Sequence, residues 1–326
     1  MAILLVTGAT GCIGSNLAAR LAAEGHHVRI LRRAASSLRA LEGVLVEHCL
    51  GDVLDPESLT RAMQGCEIVY HAAALVSHAT SRAGEQHTVN VIGTRNVVEA
   101  CLRAGVRKMV HVSSVAAIGY PREGELATEE TPFNWTGRPG YRTSKLLSEK
   151  EIATGVDRGL DAVIVNPAVV VGERDVNYRG GQLVRDARRG LLLFYVEGGM
   201  NVVYVGDVVN GMIRAAARGR TGERYILGGE NLTHKEIFQR TAKLVGARGP
   251  LGCLPIPLLK GGAAAIETFC SLLHINPWVT ADLVANAGKF NWYSSGKAVS
   301  ELEYTVTSFD VTILRAYEWY RAHGYL

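Results

Sequence analysis

The sequence predicts an α/β protein: a doubly wound parallel sheet with a smaller, mainly helical C-terminal lobe. Three observations lead there. Residues 1 to about 170 alternate short Val-, Ile- and Leu-rich runs with helix-like stretches. Those runs lack in/out alternation, as strands covered on both faces do. The first run passes at once into a glycine-rich turn and then a helix, an arrangement that seats a phosphate at a helix N-terminus.

The first strand is expected at 3–7. Gly8, Gly11 and Gly14 follow it, within Thr7-Gly8-Ala9-Thr10-Gly11-Cys12-Ile13-Gly14, and a helix-like stretch covers 15–25. A turn without side chains lets a pyrophosphate reach the backbone, and the helix end offers free N–H groups. An ordinary Gly-rich turn would carry the same triplet; its place between first strand and first helix favours a nucleotide. Further strands are expected at 28–31, 44–48, 68–71, 108–113 and 162–166, with helices clearest at 86–104 and 141–155. Beyond 170 the rhythm loosens. Short strands at 202–205 and 224–227 flank a helix at 207–218, and helical patterns recur at 233–245, 280–287 and 309–322. We therefore expect a dinucleotide-binding domain over 1–170, to which 202–230 returns. A smaller substrate lobe takes 171–201 and 231–326.

The bulk properties narrow the function. A net charge of +4 over 326 residues, with scattered Lys and Arg, argues against nucleic acid as partner. The six cysteines (Cys12, Cys49, Cys66, Cys101, Cys253, Cys270) are far apart and form no C-x-x-C pair. They read as small buried residues of a reducing compartment, neither disulfide framework nor zinc site. His78 and His87 have no metal-ligand spacing, so no metal is expected. The apolar stretch 254–275 is opened by Pro255 and Pro257 and interrupted by Lys260 and Glu267, which favours an amphipathic or buried helix over a membrane span. No charged leader precedes the first strand, so a cytoplasmic enzyme is expected.

Chemistry concentrates in Tyr141-Arg142-Thr143-Ser144-Lys145, with Ser114 upstream at a strand end. Tyr141 and Lys145 are four apart and share one helix face. A phenol with a pKa of about 10 exchanges protons poorly near neutrality, and an ammonium one turn away favours the phenolate. Each unit of lowering needs roughly 1.4 kcal/mol. Ser114 would then hold a substrate oxygen whose proton Tyr141 gives or takes. Taken alone, Y-x-x-x-K also fits a surface helix with an incidental Tyr and Lys.

Together these residues resemble the extended short-chain dehydrogenase/reductase family, also called the NAD-dependent epimerase/dehydratase family. The likeness runs the whole length. It rests on Thr7-to-Gly14, Gly51-Asp52-Val53, His71-Ala72-Ala73-Ala74, Asn90-Val91-Ile92-Gly93-Thr94, Val112-Ser113-Ser114, Tyr141-to-Lys145 and Asn166-Pro167, in that order. The resemblance implies a Rossmann fold and a catalytic triad of Ser114, Tyr141 and Lys145, with Ser113 as the alternative serine. For the cofactor it implies Gly8, Thr10, Gly11, Cys12, Ile13 and Gly14, then Asp52 and Val53 at the adenine. It adds Ala72, Ala73 and Ala74, Asn90, Ser113, Tyr141, Lys145, Pro167 near the nicotinamide, and Val169. It also implies a homodimer packed through 86–104 and 141–155.

Charge selects between cofactors. NAD-preferring relatives end the second strand on an acid that receives the ribose hydroxyls. Here the strand runs Val28-Arg29-Ile30-Leu31-Arg32-Arg33. Arg32, with Arg33 beside it, suits a 2′-phosphate. NADP(H) is expected, with NAD(H) as the alternative. For the substrate, the segments 166–175 and 222–233 resemble hopanoid-associated sugar epimerases, themselves similar to dihydroflavonol reductases. Nucleotide-sugar epimerases usually carry an arginine just before the 202–205 strand, and 197–201 has none. Arg174, Arg179 and Arg185 are left to replace it. Aromatic wall candidates are Phe133, Trp135, Tyr178, Phe194, Tyr195, Tyr204 and Trp278, foremost Trp135, Tyr178 and Tyr195, although each alone fits a core position as well. A moderately hydrophobic carbonyl compound or alcohol is expected, with a sugar as the alternative.

Overall fold

The computed structural model describes residues 3–77, 80–122, 124–136, 139–257 and 288–326. Six strands come from the first half of the chain: β1 (Ile3–Thr7), β2 (His27–Arg32), β3 (Glu47–Leu50), β4 (Cys66–His71), β5 (Lys108–Val112) and β6 (Ala162–Pro167). Then follow β7 (Val169–Val171), β8 (Phe194–Tyr195), β9 (Gly199–Tyr204), β10 (Arg224–Leu227) and β11 (Glu230–Thr233). The main sheet has seven parallel strands in the order β10-β6-β5-β4-β1-β2-β3. From β1 the chain builds outward through β2 and β3, then starts again on the other side at β4. That reversal leaves a crevice at the carboxyl ends of β1 and β4, where ligands bind in open α/β sheets.

Why the sheet is buried on both faces follows from its strands. Leu4, Val6, Val28, Ile30, Tyr70, Val110, Val163 and Val165 enter one core, beneath α1 (Cys12–Ala23). Leu5, Leu31, Val69, Met109, Ala162 and Ile164 enter the other. That second face is covered by α2 (Pro56–Met63), α4 (Gly93–Ala104) and α5 (Tyr141–Asp157). The helices carry local start and stop signals. Asp55 caps α2 by accepting from the N–H groups of Glu57 and Ser58, with Pro56 in the first turn. Gly105, at φ +64°, ends α4.

Several elements differ from the sequence reading. The strand expected at 44–48 lies at Glu47–Leu50, with Leu45 fully exposed: the Val-Leu-Val run leads into an edge strand whose pairing to β2 is set by Arg29 opposite Glu47. The helix expected over 86–104 begins earlier, at α3 (Ala83–His87), and continues through a π turn at Thr88–Ile92 into α4. The segment 202–205 does not return to the main sheet. It is part of β9, which pairs with β7, β11 and the short strand Phe290–Asn291 in a second sheet. The return begins with the helix Val205–Arg218 and ends in β10. Among the described residues the strands beyond β6 are two to six residues long. The expected helix at 280–287 lies outside the described residues. No helix among the described residues is long and apolar enough to cross a membrane.

Candidate active site

The crevice is built first from glycine sterics. Gly8 has φ +71°, and a Cβ there would lie 2.5 Å from Ala72 C and Ala73 N. A Cβ on Gly14 would lie 2.4 Å from Gly8 O. These two glycines let the turn after β1 press against α1 and against the chain leaving β4. Gly11 is different: the nearest protein atom to its Cβ would be Gly8 O, at 3.4 Å. Packing within the protein does not demand glycine there, whereas a ligand brought onto the backbone would. Gly11 also caps α1 without a side chain, and the first turn holds no acid. The N–H groups at this end are therefore open to an anion, which fits a dinucleotide's pyrophosphate. The Cys12 thiol lies 3.7 Å from Glu173 O and burial pushes its pKa well up, so it is not poised as a thiolate.

A relay of hydrogen bonds fixes the chain after β4. Ala73 N–H donates to Thr7 Oγ1 at 3.3 Å, and Thr94 Oγ1 donates to Asn90 O at 2.6 Å. Thr94 therefore receives the Nε2 proton of His71 at 3.0 Å, and Thr7 donates to His71 Nδ1 at 2.7 Å. Burial, aided by the Lys145 charge, pulls the His71 pKa down to about 3, so the ring is neutral. Asn90 extends the relay: it accepts from Leu75 N at 2.7 Å and donates to Leu75 O at 3.1 Å and Ser144 Oγ at 2.9 Å. One side chain from the π turn thus ties the 72–75 segment to α5.

Helix α5 begins at Tyr141, directly after Gly140. The Tyr141 hydroxyl hydrogen-bonds the side chain of Ser114, which itself accepts from Ala116 N at 3.1 Å. Ser113 is turned away: its hydroxyl donates to Glu149 Oε1 at 2.5 Å. Ser114 is thus the serine that meets Tyr141. Lys145 is buried and donates to Val112 O at 2.8 Å. Burial pulls its pKa down to about 8, against the opposing pull of Glu149. Tyr141 departs from the expectation drawn from its spacing. Burial pushes it up to about 12, and the opposing influences are the Ser114 hydrogen bond and the charge of Arg179. Desolvation outweighs both.

The other expected positions are placed as follows. Arg32 ends β2 half-buried, with its Nε on His48 Nδ1 at 2.9 Å, and Arg33 is exposed. Asp52 Oδ1 accepts from Leu54 N at 3.0 Å, and buried Val53 packs on Gly93. Pro167 is buried at the end of β6, and Val169 is exposed on β7. Trp135 donates to Ile118 O at 2.7 Å, and its indole meets Tyr120 at 5.0 Å and the Arg142 guanidinium at 3.9 Å. Arg142 follows Tyr141 on α5, so Trp135 borders the pair. Tyr178 is engaged elsewhere: its ring stacks on Tyr320 at 5.2 Å and its hydroxyl donates to Tyr325 O at 2.5 Å. Tyr195 is half-buried in β8, which pairs with Gly252–Cys253. Trp278 lies outside the described residues. One side chain that joins the site went unremarked in the sequence, Glu149, four residues beyond Lys145; Asn166, noted there only within the Asn-Pro landmark, donates its amide to Glu149 Oε1 at 2.7 Å and Ser114 O at 3.0 Å. Continuing the i, i+4 face of α5 past Lys145 would have found Glu149.

A glycine turn open to an anion at the switch of a parallel sheet, beside a half-buried Tyr–Ser pair and a buried lysine, defines a dinucleotide-dependent oxidoreductase fold. Residues 4–228 match the NAD dependent epimerase/dehydratase family, and the chain belongs to it. It is 34% identical over 327 residues to a putative dihydroflavonol 4-reductase of Synechocystis sp., covering 98% of this chain and 95% of that one. It is also 34% identical over 337 residues to sterol demethylase protein B of Methylococcus capsulatus, covering 98% of each. Among solved structures it is similar to gox2253, at 36% identity and TM-score 0.88, over 99% of both chains. The family and these relatives make the chain an NAD(P)-dependent enzyme.

Proposed function

We propose that this enzyme is an NADP-dependent carbonyl reductase, with Ser114, Tyr141 and Lys145 as its triad. The observation that carries the reading is the Tyr141–Ser114 hydroxyl pair beside the buried Lys145 ammonium. The residues that would hold the dinucleotide are the Gly8–Gly14 turn, Arg32, Asp52, Val53 and Ala72–Ala74, with Asn90 fixing that last segment. Pro167 and Val169 would border its nicotinamide end. When bound, the reduced nicotinamide supplies a hydride. Ser114 holds the substrate oxygen, and Tyr141 gives it a proton as negative charge develops there. A phenol at about 12 stays protonated through neutrality, and a new alkoxide is far more basic than a phenolate. Proton transfer therefore runs toward the substrate.

Other features favour a carbonyl compound over a nucleotide sugar. A diphosphate needs several donors. Arg174 donates to Ala40 O at 2.9 Å, and Arg185 binds Asp186 at 3.2 Å, so two of the three arginines available are committed. The relative named as a dihydroflavonol 4-reductase agrees with this reading. We place the substrate against Trp135, between the dinucleotide-binding part and the lobe of 171–201 and 231–326, in a homodimer that light scattering would show.

Absorbance assays with ketones, aldehydes and nucleotide sugars test the reading, each with NADPH and NADH. Sugar interconversion without net absorbance change would mark an epimerase instead. Tyr141→Phe should lower turnover about 10²- to 10⁴-fold while leaving dinucleotide binding and Tm in place; unchanged turnover sinks the mechanism. Arg32→Asp should invert the NADPH-over-NADH preference in kcat/KM, and an unchanged ratio removes Arg32 as its source.

A further inference from the structure

Of the buried carboxylates that the mechanism above leaves unused, Glu149 is the one on the helix of Tyr141 and Lys145. Glu149 lies one turn beyond Lys145 on the same face of α5 and is nearly inaccessible to solvent. Its Oε1 accepts from Ser113 Oγ at 2.5 Å and Asn166 Nδ2 at 2.7 Å, and its Oε2 lies 3.4 Å from Arg224 Nη1. Asn166 passes the contact on, donating to the carbonyl of Ser114 at 3.0 Å. The amide orientation is fixed by chemistry: the Ser114 carbonyl and the Glu149 carboxylate are both acceptors, so the NH2 group must face them.

We propose that Glu149 is a positioning residue that holds Ser114 through Asn166 and keeps the Lys145 ammonium charged. Resting on the triad reading above, it adds the group that sets the triad's charge. Lys145 is faced by His71 from β4, His111 from β5 and Glu149 from its own helix. Tyr141 stands one turn before it and is faced in turn by Arg179. Ser148 donates to Lys145 O at 2.8 Å and so takes the Nε2 proton of His111 at 3.1 Å. Burial and the Lys145 charge push both imidazoles down, so they are neutral near pH 7. Glu149 is then the charge that opposes desolvation of the ammonium. Arg224, which also donates to Glu129 O, tempers that carboxylate from behind.

Glu149→Gln keeps an acceptor for Ser113 and Asn166 and removes the charge. Its alkaline limb in kcat/KM for carbonyl reduction should move down by about one pH unit. Arg224→Met leaves the carboxylate unopposed, and its limb should move up. A uniform loss of activity without movement of either limb overturns the proposal. A second measurement needs no turnover: unfolding stability of wild type and Glu149→Gln from pH 7 to 10, each with and without Lys145→Met. A lysine near 8 when folded and about 10.5 when unfolded adds stability as pH rises between those values. In Glu149→Gln that rise should begin at lower pH, and Lys145→Met should abolish the difference. A difference that persists without Lys145 refutes the coupling. Failure on every carbonyl with the stability signature intact would refute the reductase reading alone.

Discussion

The crevice at β1 and β4 and the segment that follows β7 are held by opposite means. At the crevice, the backbone shape comes from glycines eight to fourteen residues into the chain, and a relay of short side chains secures it. After β7, non-glycine residues take the strained conformation: Arg174 at φ +58° and Tyr178 at φ +53°. Each costs about 1–2 kcal/mol. Distant partners offset that cost. Arg174 reaches Ala40 O, Tyr178 reaches Tyr325 O, Asp175 Oδ2 accepts from Gly180 N and Gly181 N at 2.9 Å, and Tyr320 donates to Asp175 O at 3.0 Å. The turn of the crevice thus takes its shape from glycines six residues apart at most, whereas the segment after β7 takes its shape from contacts 134 to 147 residues apart.

Acid is the strongest test of the relay. His71 and His111 are held neutral, His71 at about 3 and His111 well below its ordinary value, while unfolded rings titrate near 6.5. The unfolded chain takes up protons first as pH falls below 6.5, so stability drops through that window. The loss should be roughly 1.4 kcal/mol per pH unit for each ring. Denaturant unfolding from pH 6.5 to 4.5 measures it, and His111→Gln should reduce the slope. A flat profile would mean the rings are not held neutral.

Next come the glycines. Gly14→Ala drives a Cβ against Gly8 O and should cost about 3 kcal/mol of stability. Gly11→Ala should leave Tm nearly unchanged yet weaken NADPH binding about tenfold, because its Cβ meets little protein. Equal loss of stability in both variants would erase the distinction between packing glycine and ligand glycine. The smallest effect belongs to the lobe. Tyr178→Phe should lose about 1 kcal/mol through the bond to Tyr325 O and leave the substrate KM alone, whereas Trp135→Ala should raise it. A KM change in Tyr178→Phe would return that ring to the substrate wall.

How much was legible follows the same division. The β1 turn, the spacing of Tyr141 and Lys145 and the strands of the main sheet other than edge strand β3 are local patterns, and these were readable. The 202–205 strand was expected, but not its place in a second sheet, because a Val-Val-Tyr-Val run looks the same in either sheet. Tyr178 looked like a substrate wall because an aromatic residue in a loop carries no mark of the C-terminal helix that stacks on it.

By itself, the sequence determined the doubly wound sheet, the glycine turn and the helix face that carries tyrosine and lysine. Each follows from sterics or periodicity acting within a few residues. Only the tertiary structure decided that Ser114 and not Ser113 meets Tyr141, that Glu149 stands behind Lys145, and that burial sets the charge of both histidines. Those outcomes depend on desolvation and on partners from separate strands, which exist only once the sheet has closed around them.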